Sequence, residues 1–217
     1  LEFRRVLFRS TGLASFQTNW DRVGGNAMWS FRSSPYGSTS HALANQNAFN
    51  TFYGGQPLFY SSGHHIEFTD VHSMLCHRAT RAHNTILVNG MGQRIGTEGY
   101  GWIPRYYASE KIGYVLGDAS NAYGKVISPL WLTRGEQSEV HYTPENGWDE
   151  NHVKTFRRHI VNLGKTGLIF IYDELVADEP VNWNYLLHTT ANPMTVNKSN
   201  NRFVHIQATN RGGASDA

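Results

Sequence analysis

Short runs of β-branched and aromatic residues recur along most of this chain, and Gly, Pro or Asn separates them. Each run is five to nine residues long, which is the usual length of a β-strand. YGGQP and LGKTG supply turns between neighbouring runs. The pattern predicts an all-β fold, a two-sheet antiparallel β-sandwich. The runs lie at residues 29–33, 48–53, 57–62, 85–90, 111–118, 167–175, 183–189 and 203–209.

One segment has a helical pattern. The sequence DVHSMLCHRATRA, residues 70–82, can hold a helix, with Asp70 as its N-cap. The sandwich is therefore expected to contain at most one short helix.

The composition excludes several classes of protein. Charged residues make up 17% of the chain, the net charge is +2, and the 19 Lys and Arg are scattered, so nucleic acid is not an expected partner. No window reaches the roughly 18 apolar residues of a membrane-spanning helix. Cys76 is the only cysteine, which rules out an intrachain disulfide. Abundant Tyr, Trp and Asn suit a sugar ligand, because rings cover its apolar faces and amides bond its hydroxyl groups.

Both ends of the sequence look unlike the rest. The opening LEFRRVLFRS, residues 1–10, is similar to translated adapter sequence, and we interpret it as a non-native segment. The final NRGGASDA follows a strand-like run without a closing element. We expect residues 11–217 to form one domain, truncated at both ends.

The first candidate for chemistry is a histidine in the stretch SPYGSTSHALANQNAF, residues 34–49. The imidazole of His41 can take or give a proton near neutral pH, since its unperturbed pKa is about 6.5. In an extended backbone, His41, Asn45 and Asn47 would share one face, which could point into a cleft. The alternative is a surface turn in which His41 bonds only backbone.

The second candidate is HRATRAHNTILVNGMGQ, residues 77–93, in which polar residues directly precede an apolar strand and a Gly-rich turn. Polar groups at a strand entrance are typical of a site held by a rigid scaffold. Arg78 or Arg81 could hold a carboxylate or sulfate by a bidentate bond, or could instead form a salt bridge to Asp70 or Glu67. The predicted substrate-binding residues of the two stretches are Asn45, Gln46, Arg78, Arg81, His83 and Asn84.

Three ordered stretches resemble the heparinase II/III-like family of polysaccharide lyases. SPYGSTSHALANQNAF followed by YGGQPLFYSSGHH is similar to its Ser-His segment, Asn-Gln-Asn-Phe strand and Asp-Ser-Gly turn. TRAHNTILVNGMGQ is similar to its His-Asn-Thr strand, and FRRHIVNLGKTGLIFIYDELVADEPVNWNYLLHT to its later strands. The resemblance covers about residues 29–190 and implies the β-sandwich domain, of the supersandwich type, that follows an N-terminal α/α-toroid.

The resemblance implies β-elimination in a uronic-acid-containing polysaccharide. Such a reaction needs the uronate carboxylate neutralised, a base for the C5 proton and an acid for the leaving oxygen at C4. His41 matches the family's sandwich histidine and is the predicted catalytic residue. The catalytic Tyr belongs to the toroid, so this chain alone is expected to be inactive. The resemblance also implies a periplasmic or secreted enzyme.

The resemblance raises the question of a structural zinc ion. The family's ligand positions correspond to Leu43, Ser61 and His83, of which only the last can bind zinc. We therefore expect no metal and no other cofactor, with His83 bonding the region of Asn45 or Gln46 instead. The histidines that could rebuild a site are His64, His65 and His72.

Two other functions stay open. The domain could be a non-catalytic module that binds acidic glycans, or part of a uronate C5-epimerase, in which C5 is reprotonated from the opposite face. Tyr172-Asp173-Glu174 is interpreted as a structural turn at a strand end. Residues interpreted as core or rim packing rather than a sugar subsite are Trp102, Tyr106 and Tyr107.

Overall fold

The computed structural model describes residues 4–8, 10–19, 25–63, 70–189, 193–200, 202–210 and 213–216. Glu67, His64 and His65, considered above as a salt-bridge partner and as metal ligands, lie outside these residues. Among the described residues, α1 (Pro129–Gln137) is an α-helix of nine residues, and no helix there is long and apolar enough to cross a membrane. The strands are β1 (Arg4–Phe8), β2 (Leu13–Gln17), β3 (Ala27–Arg32), β4 (Ala48–Tyr53), β5 (Gln56–Pro57), β6 (Ile86–Val88), β7 (Trp102–Ala108), β8 (Gly113–Asp118), β9 (Val153–Asn162), β10 (Ile169–Ala177), β11 (Trp183–Tyr185), β12 (Thr195–Asn200), β13 (Phe203–Asn210) and β14 (Gly213–Asp216).

Two antiparallel sheets form the body of the fold. The first has the order β1-β2-β3-β4-β5, and the second has the order β10-β9-β8-β7. Each follows from strands that neighbour one another in sequence, which short turns such as residues 163–168 permit. The predicted all-β sandwich with one short helix is therefore confirmed. Two smaller antiparallel sheets, β11-β6 and β12-β13-β14, add to it.

Strand β1 lies within the predicted adapter-like segment, residues 1–10. It pairs with β2 over its whole length, and Leu7 packs against the main apolar core. Whether residues 1–10 belong to the native sequence stays a prediction.

Aromatic residues of the first sheet fill the core between the two sheets. Phe16 and Trp29 stack with ring centroids 4.4 Å apart, and both are buried against Val115 and Ile160 of the second sheet. Strand β8 makes room for them, because a Cβ on Gly113 would lie 1.9 Å from the Phe16 ring. Gly117 meets Phe31 in the same way, at 2.4 Å. Glycine is thus required at both positions for the sheets to approach.

The predicted helix at residues 70–82 forms only in part. Residues 71–72 are α-helical and lead into a π-helical turn (Ser73–His77), and a separate 3₁₀ turn (Thr80–Ala82) follows. Asp70 does cap the first turn, since its Oδ1 accepts the Ser73 N–H at 2.9 Å. The helix breaks because Ala79 is extended, with ψ of 153°, where the preceding carbonyl accepts the Ala44 N–H at 2.9 Å.

Helix α1 was missed because it is short and contains Gly135, although Ser128-Pro129 is a recognisable helix start. It contributes the fully buried Trp131 to a second apolar cluster. That cluster includes Ala44, Met74 and Trp148, which come from widely separated parts of the chain. The helix therefore packs beneath the histidine-containing stretch and the π-helical turn.

Candidate functional site

The stretch that carries His41 is a series of turns and not an extended strand. Ser40 and Asn47 have positive φ angles of 51° and 55°, which an extended chain excludes. The predicted polar face is therefore wrong for Asn47, which is buried and donates to the carbonyls of Gly117 and Phe156 at 3.2 Å. His41 itself is exposed.

Two arginines, the half-buried Arg32 and the fully buried Arg78, hold the carbonyl groups on either side of His41. Arg32 donates to the carbonyl of Gly37 at 2.6 Å, to that of Leu43 at 3.3 Å and to Asn45 Oδ1 at 2.7 Å. Arg78 donates through Nη2 to the carbonyl of Ser40 and, at 3.1 Å, to that of Ala42. We call residues 37–45 the histidine loop. Its backbone is fixed by guanidinium groups while its histidine side chain faces solvent.

The same two arginines place positive charge beneath the histidine loop. Burial lowers the pKa of Arg32 and of Arg78 to about 10 each, so both remain protonated at neutral pH. The guanidinium carbon of Arg78 lies 4.2 Å from the ring centroid of Trp131, which adds a cation–π contact from α1. A fixed loop above two cations suits an anionic ligand.

The structure separates the predicted substrate-binding residues by burial. Gln46, Arg78, His83 and Asn84 are buried, whereas Asn45 is half-buried. Arg81 is exposed and donates to the carbonyl of Asn146.

The buried amides connect the histidine loop to the rest of the sandwich. Gln46 accepts the Ser34 N–H at 2.7 Å and donates to the carbonyl of Gly99 at 3.1 Å. Asn84 donates to the carbonyl of Phe49 at 3.0 Å and accepts the His188 N–H at 2.7 Å. In this conformation, the side-chain amides of Gln46 and Asn84 bond other parts of the protein and are not available to bind a sugar.

His83 has a different partner from the one expected. Its Nε2 lies 3.1 Å from the carbonyl of His77 and not against Asn45 or Gln46. Burial lowers its pKa to about 3, so the ring is neutral at physiological pH. The family's zinc positions do not fit a metal ion here, because Leu43 has no donor atom, Ser61 carries a neutral hydroxyl, and His83 is bonded in the core.

Three supporting residues were not singled out from the sequence. Gln93 accepts the Gln46 N–H at 2.6 Å and donates to the Gln46 carbonyl at 2.9 Å. The Gly-Gln of NGMGQ, which is similar to that of the family, is the sequence signal for Gln93. Arg32 is the last residue of β3 and Arg158 lies within β9. Their partners lie 5 to 13 and 15 to 111 positions away, so no short motif indicates either arginine.

Tyr172-Asp173-Glu174 lies within β10 and not in a turn. Asp173 forms a bidentate pair with the fully buried Arg158, with nitrogen–oxygen distances of 2.7 and 2.8 Å. Arg158 also donates to the carbonyls of Asn47 and Asn84 at 2.8 and 3.2 Å. Asp173 thus has a structural partner, whereas Glu174 pairs with His159 and Arg157 at the groove on the other side of the strand.

A groove lies on the outer face of the second sheet. Trp102 and Tyr107 are 37% and 57% exposed, so neither belongs to the core, whereas Tyr106 packs against it. Within the groove, the Tyr114 hydroxyl lies 2.9 Å from His159 Nδ1, and His159 Nε2 lies 3.0 Å from Glu174. The groove is lined by Trp102, Arg105, Leu116, Arg157, His159 and Glu174.

Solved structures share this fold. Heparan sulfate lyase HepC from Pedobacter heparinus matches with a TM-score of 0.66 at 16% identity, over 96% of this chain and 27% of that one. A heparinase III gene product matches with a TM-score of 0.64 at 13% identity, over 95% of this chain and 28% of that one. This chain therefore spans little more than a quarter of the length of these proteins.

No curated protein matches the sequence. The model of the family described as heparinase II/III-like, C-terminal, matches residues 3–215. Because that match extends over nearly the whole sequence, this chain belongs to the heparinase II/III-like, C-terminal family.

Proposed function

We propose that this chain is the β-sandwich part of a polysaccharide lyase that cleaves uronic-acid-containing glycans by β-elimination. The observation that carries the proposal is the exposed His41 on a loop whose backbone Arg32 and Arg78 fix from below. Catalytic groups are effective when rigid neighbours hold them in place. The solved relatives named as heparan sulfate lyase and heparinase III support the same class of reaction.

His41 contributes to proton transfer in this proposal. A uronate loses its C5 proton and then its C4 oxygen substituent, so one group must accept a proton and another must deliver one. An imidazole can do either near neutral pH. The positive charges of Arg32 and Arg78 favour the approach of the substrate's carboxylate to the histidine loop.

The predicted substrate-binding residues have two proposed roles: some contact the glycan, and the others hold the binding region in place. Arg81 and Asn45, the predicted binding residues with exposed surface, are proposed to contact the glycan directly. The buried Gln46, Arg78, His83 and Asn84 are proposed to position the loop and the strand entrance beside it. An N-terminal toroid supplies the catalytic Tyr, and the enzyme acts in the periplasm or outside the cell, where polymeric substrates occur.

The test uses the protein extended to include its upstream domain. Elimination creates a C4–C5 double bond, so ultraviolet absorbance is followed against a panel of uronic-acid polysaccharides. We expect His41→Ala to lower turnover about 10²- to 10⁴-fold, the usual contribution of a positioned acid or base. His141→Ala, at another exposed histidine, is the matched control and should leave turnover unchanged.

Equal turnover in the His41→Ala protein, with unchanged unfolding temperature, would remove His41 from the reaction. A flat absorbance trace combined with exchange of the C5 proton for solvent deuterium would indicate a C5-epimerase instead.

The outer groove favours a second candidate function, a non-catalytic module that binds acidic glycans. Trp102 presents an exposed ring, stacked 5.6 Å from Tyr100, beside the exposed Arg105. An aromatic platform next to a cation is suited to an anionic sugar. Salt-sensitive binding of heparan sulfate that Trp102→Ala weakens, without any double bond formed by the extended protein, would support this candidate over the lyase.

A further inference from the structure

Three side chains with metal-binding atoms converge on the π-helical turn. His72, Cys76 and His77 each offer one ligand atom, and these atoms all lie within 4.8 Å of one another. The two imidazole rings are nearly perpendicular, at 87°, with centroids 4.6 Å apart. None of the three corresponds to the family's zinc positions discussed above.

The π-helical winding explains why the three side chains meet. In an α-helix, residue i+4 lies on the same face as residue i, but i+5 turns well away from it. A π-helix bonds i to i+5 and has more residues in each turn, so residues i+4 and i+5 flank residue i. Cys76 and His77 stand four and five residues after His72. The winding thus builds a three-residue face that an α-helix of this sequence would not have.

A second observation points to a ligand at the same place. The Nδ1 atom of His77 is buried and has no hydrogen-bond partner among the described residues. Such an atom costs free energy unless a partner satisfies it. The ring is also held close to the backbone, since a Cβ on Gly63 would lie 3.1 Å from its Cε1.

The chemistry of the group fits zinc. Two imidazole nitrogens and one thiolate are borderline-soft ligands, and three protein ligands with a fourth, open position are a common zinc arrangement. His72 is exposed, so an ion can reach the group from solvent. We propose that His72, Cys76 and His77 form a zinc site on this π-helical turn.

The site would act on the histidine loop through the chain. His77 is followed directly by Arg78, which donates to the carbonyls of Ser40 and Ala42. The His77 carbonyl is itself bonded to His83. A bound ion would fix the turn from which Arg78 emerges, and would stabilise the folded chain by an amount that rises with the logarithm of the free ion concentration.

The experiment uses the untagged chain, reduced and freed of metal by a chelator. Calorimetric titration with Zn²⁺ should show one strong binding site per chain. Co²⁺ in place of zinc should give the charge-transfer band of a cobalt–thiolate bond and the intense visible bands of a four-coordinate ion. Zn²⁺ should also raise the unfolding temperature.

Cys76→Ser should abolish the charge-transfer band, and His72→Ala should lower affinity at least about 100-fold, since even indirect partners of a metal cost 10- to 100-fold. His72 is exposed, so its variant should fold normally. His141→Ala and His152→Ala, at histidines outside the turn, should bind as the original chain does. Zinc binding unaffected by either ligand substitution, or no strong binding at all, would overturn the site. The lyase proposal does not depend on this result.

Discussion

Two buried arginines hold two regions of this molecule in different ways. Arg158, on β9, pairs with the Asp173 carboxylate of β10. Arg78, beneath the histidine loop, donates to the neutral carbonyls of Ser40 and Ala42. Burial opposes the charge of Arg158, but its bonds to Asp173 raise its pKa, whereas burial lowers that of Arg78 to about 10.

The difference separates a structural role from a functional one. At Arg158 the charge is matched by a carboxylate and ties the second sheet to the carbonyls of Asn47 and Asn84. At Arg78 the bonds fix a loop while leaving positive charge near an exposed histidine. Loss of the bonds of Arg158 should lower the free energy of unfolding most. Loss of Arg78 should lower turnover most.

The largest effect is expected for Asp173→Ala. It leaves the fully buried guanidinium of Arg158 without its carboxylate, which typically costs about 3–5 kcal/mol. Denaturant unfolding measures the change. The double variant Arg158→Met with Asp173→Leu should recover much of the loss, because an apolar pair replaces both charges. A loss for Asp173→Ala below about 1 kcal/mol would show that the pair is not needed.

A smaller loss of stability but a larger loss of activity is expected for Arg78→Met. The carbonyls of Ser40 and Ala42 lose their donor, at a cost of about 1–3 kcal/mol. Turnover of the extended protein should fall more than unfolding data explain, because His41 is no longer held. Arg134→Met, at an arginine of α1 outside the histidine loop, is the matched control. Parallel losses of stability and activity would give Arg78 the same role as Arg158.

The smallest effect is expected for Lys125→Ala. Lys125 forms an ion pair with Glu150 in which both side chains are more than half exposed, at 57% and 63%. Solvent screens such a pair, so denaturant unfolding should show no measurable change. A clear loss would mean that charge pairing by itself, and not burial, distinguishes the two arginine regions.

Two runs of β-branched and aromatic residues predicted their strands closely. The run at 48–53 coincides with β4, and that at 167–175 overlaps most of β10. The pattern of runs does not predict strand β9, because the buried Arg158 interrupts its apolar alternation, although the family resemblance indicates an Arg-His strand there. The fold class could be predicted because the spacing of the runs along the sequence is enough to indicate it. A buried charge could not be predicted, because it depends on a partner that is distant in the sequence.

The candidate site could be predicted only in part for a related reason. His41 stands in a stretch whose composition indicates a loop, and it is exposed. The bonds of Arg32 and Arg78 to that loop join residues 5 to 38 positions apart and leave no local pattern. The π-helical face also escapes a sequence argument based on the α-helical period.

On strand β8, Tyr114 and Leu116 point outward, whereas Gly113, Val115 and Gly117 face the core. Its outward Tyr114 and Leu116 line or approach the outer groove, while Gly113 leaves its inward volume to Phe16 of the opposite sheet. Residues 113 and 16 therefore share one fixed volume between the two sheets. A larger residue at position 113 becomes acceptable only with a smaller one at position 16, so these two positions should vary together among relatives, although they are 97 residues apart.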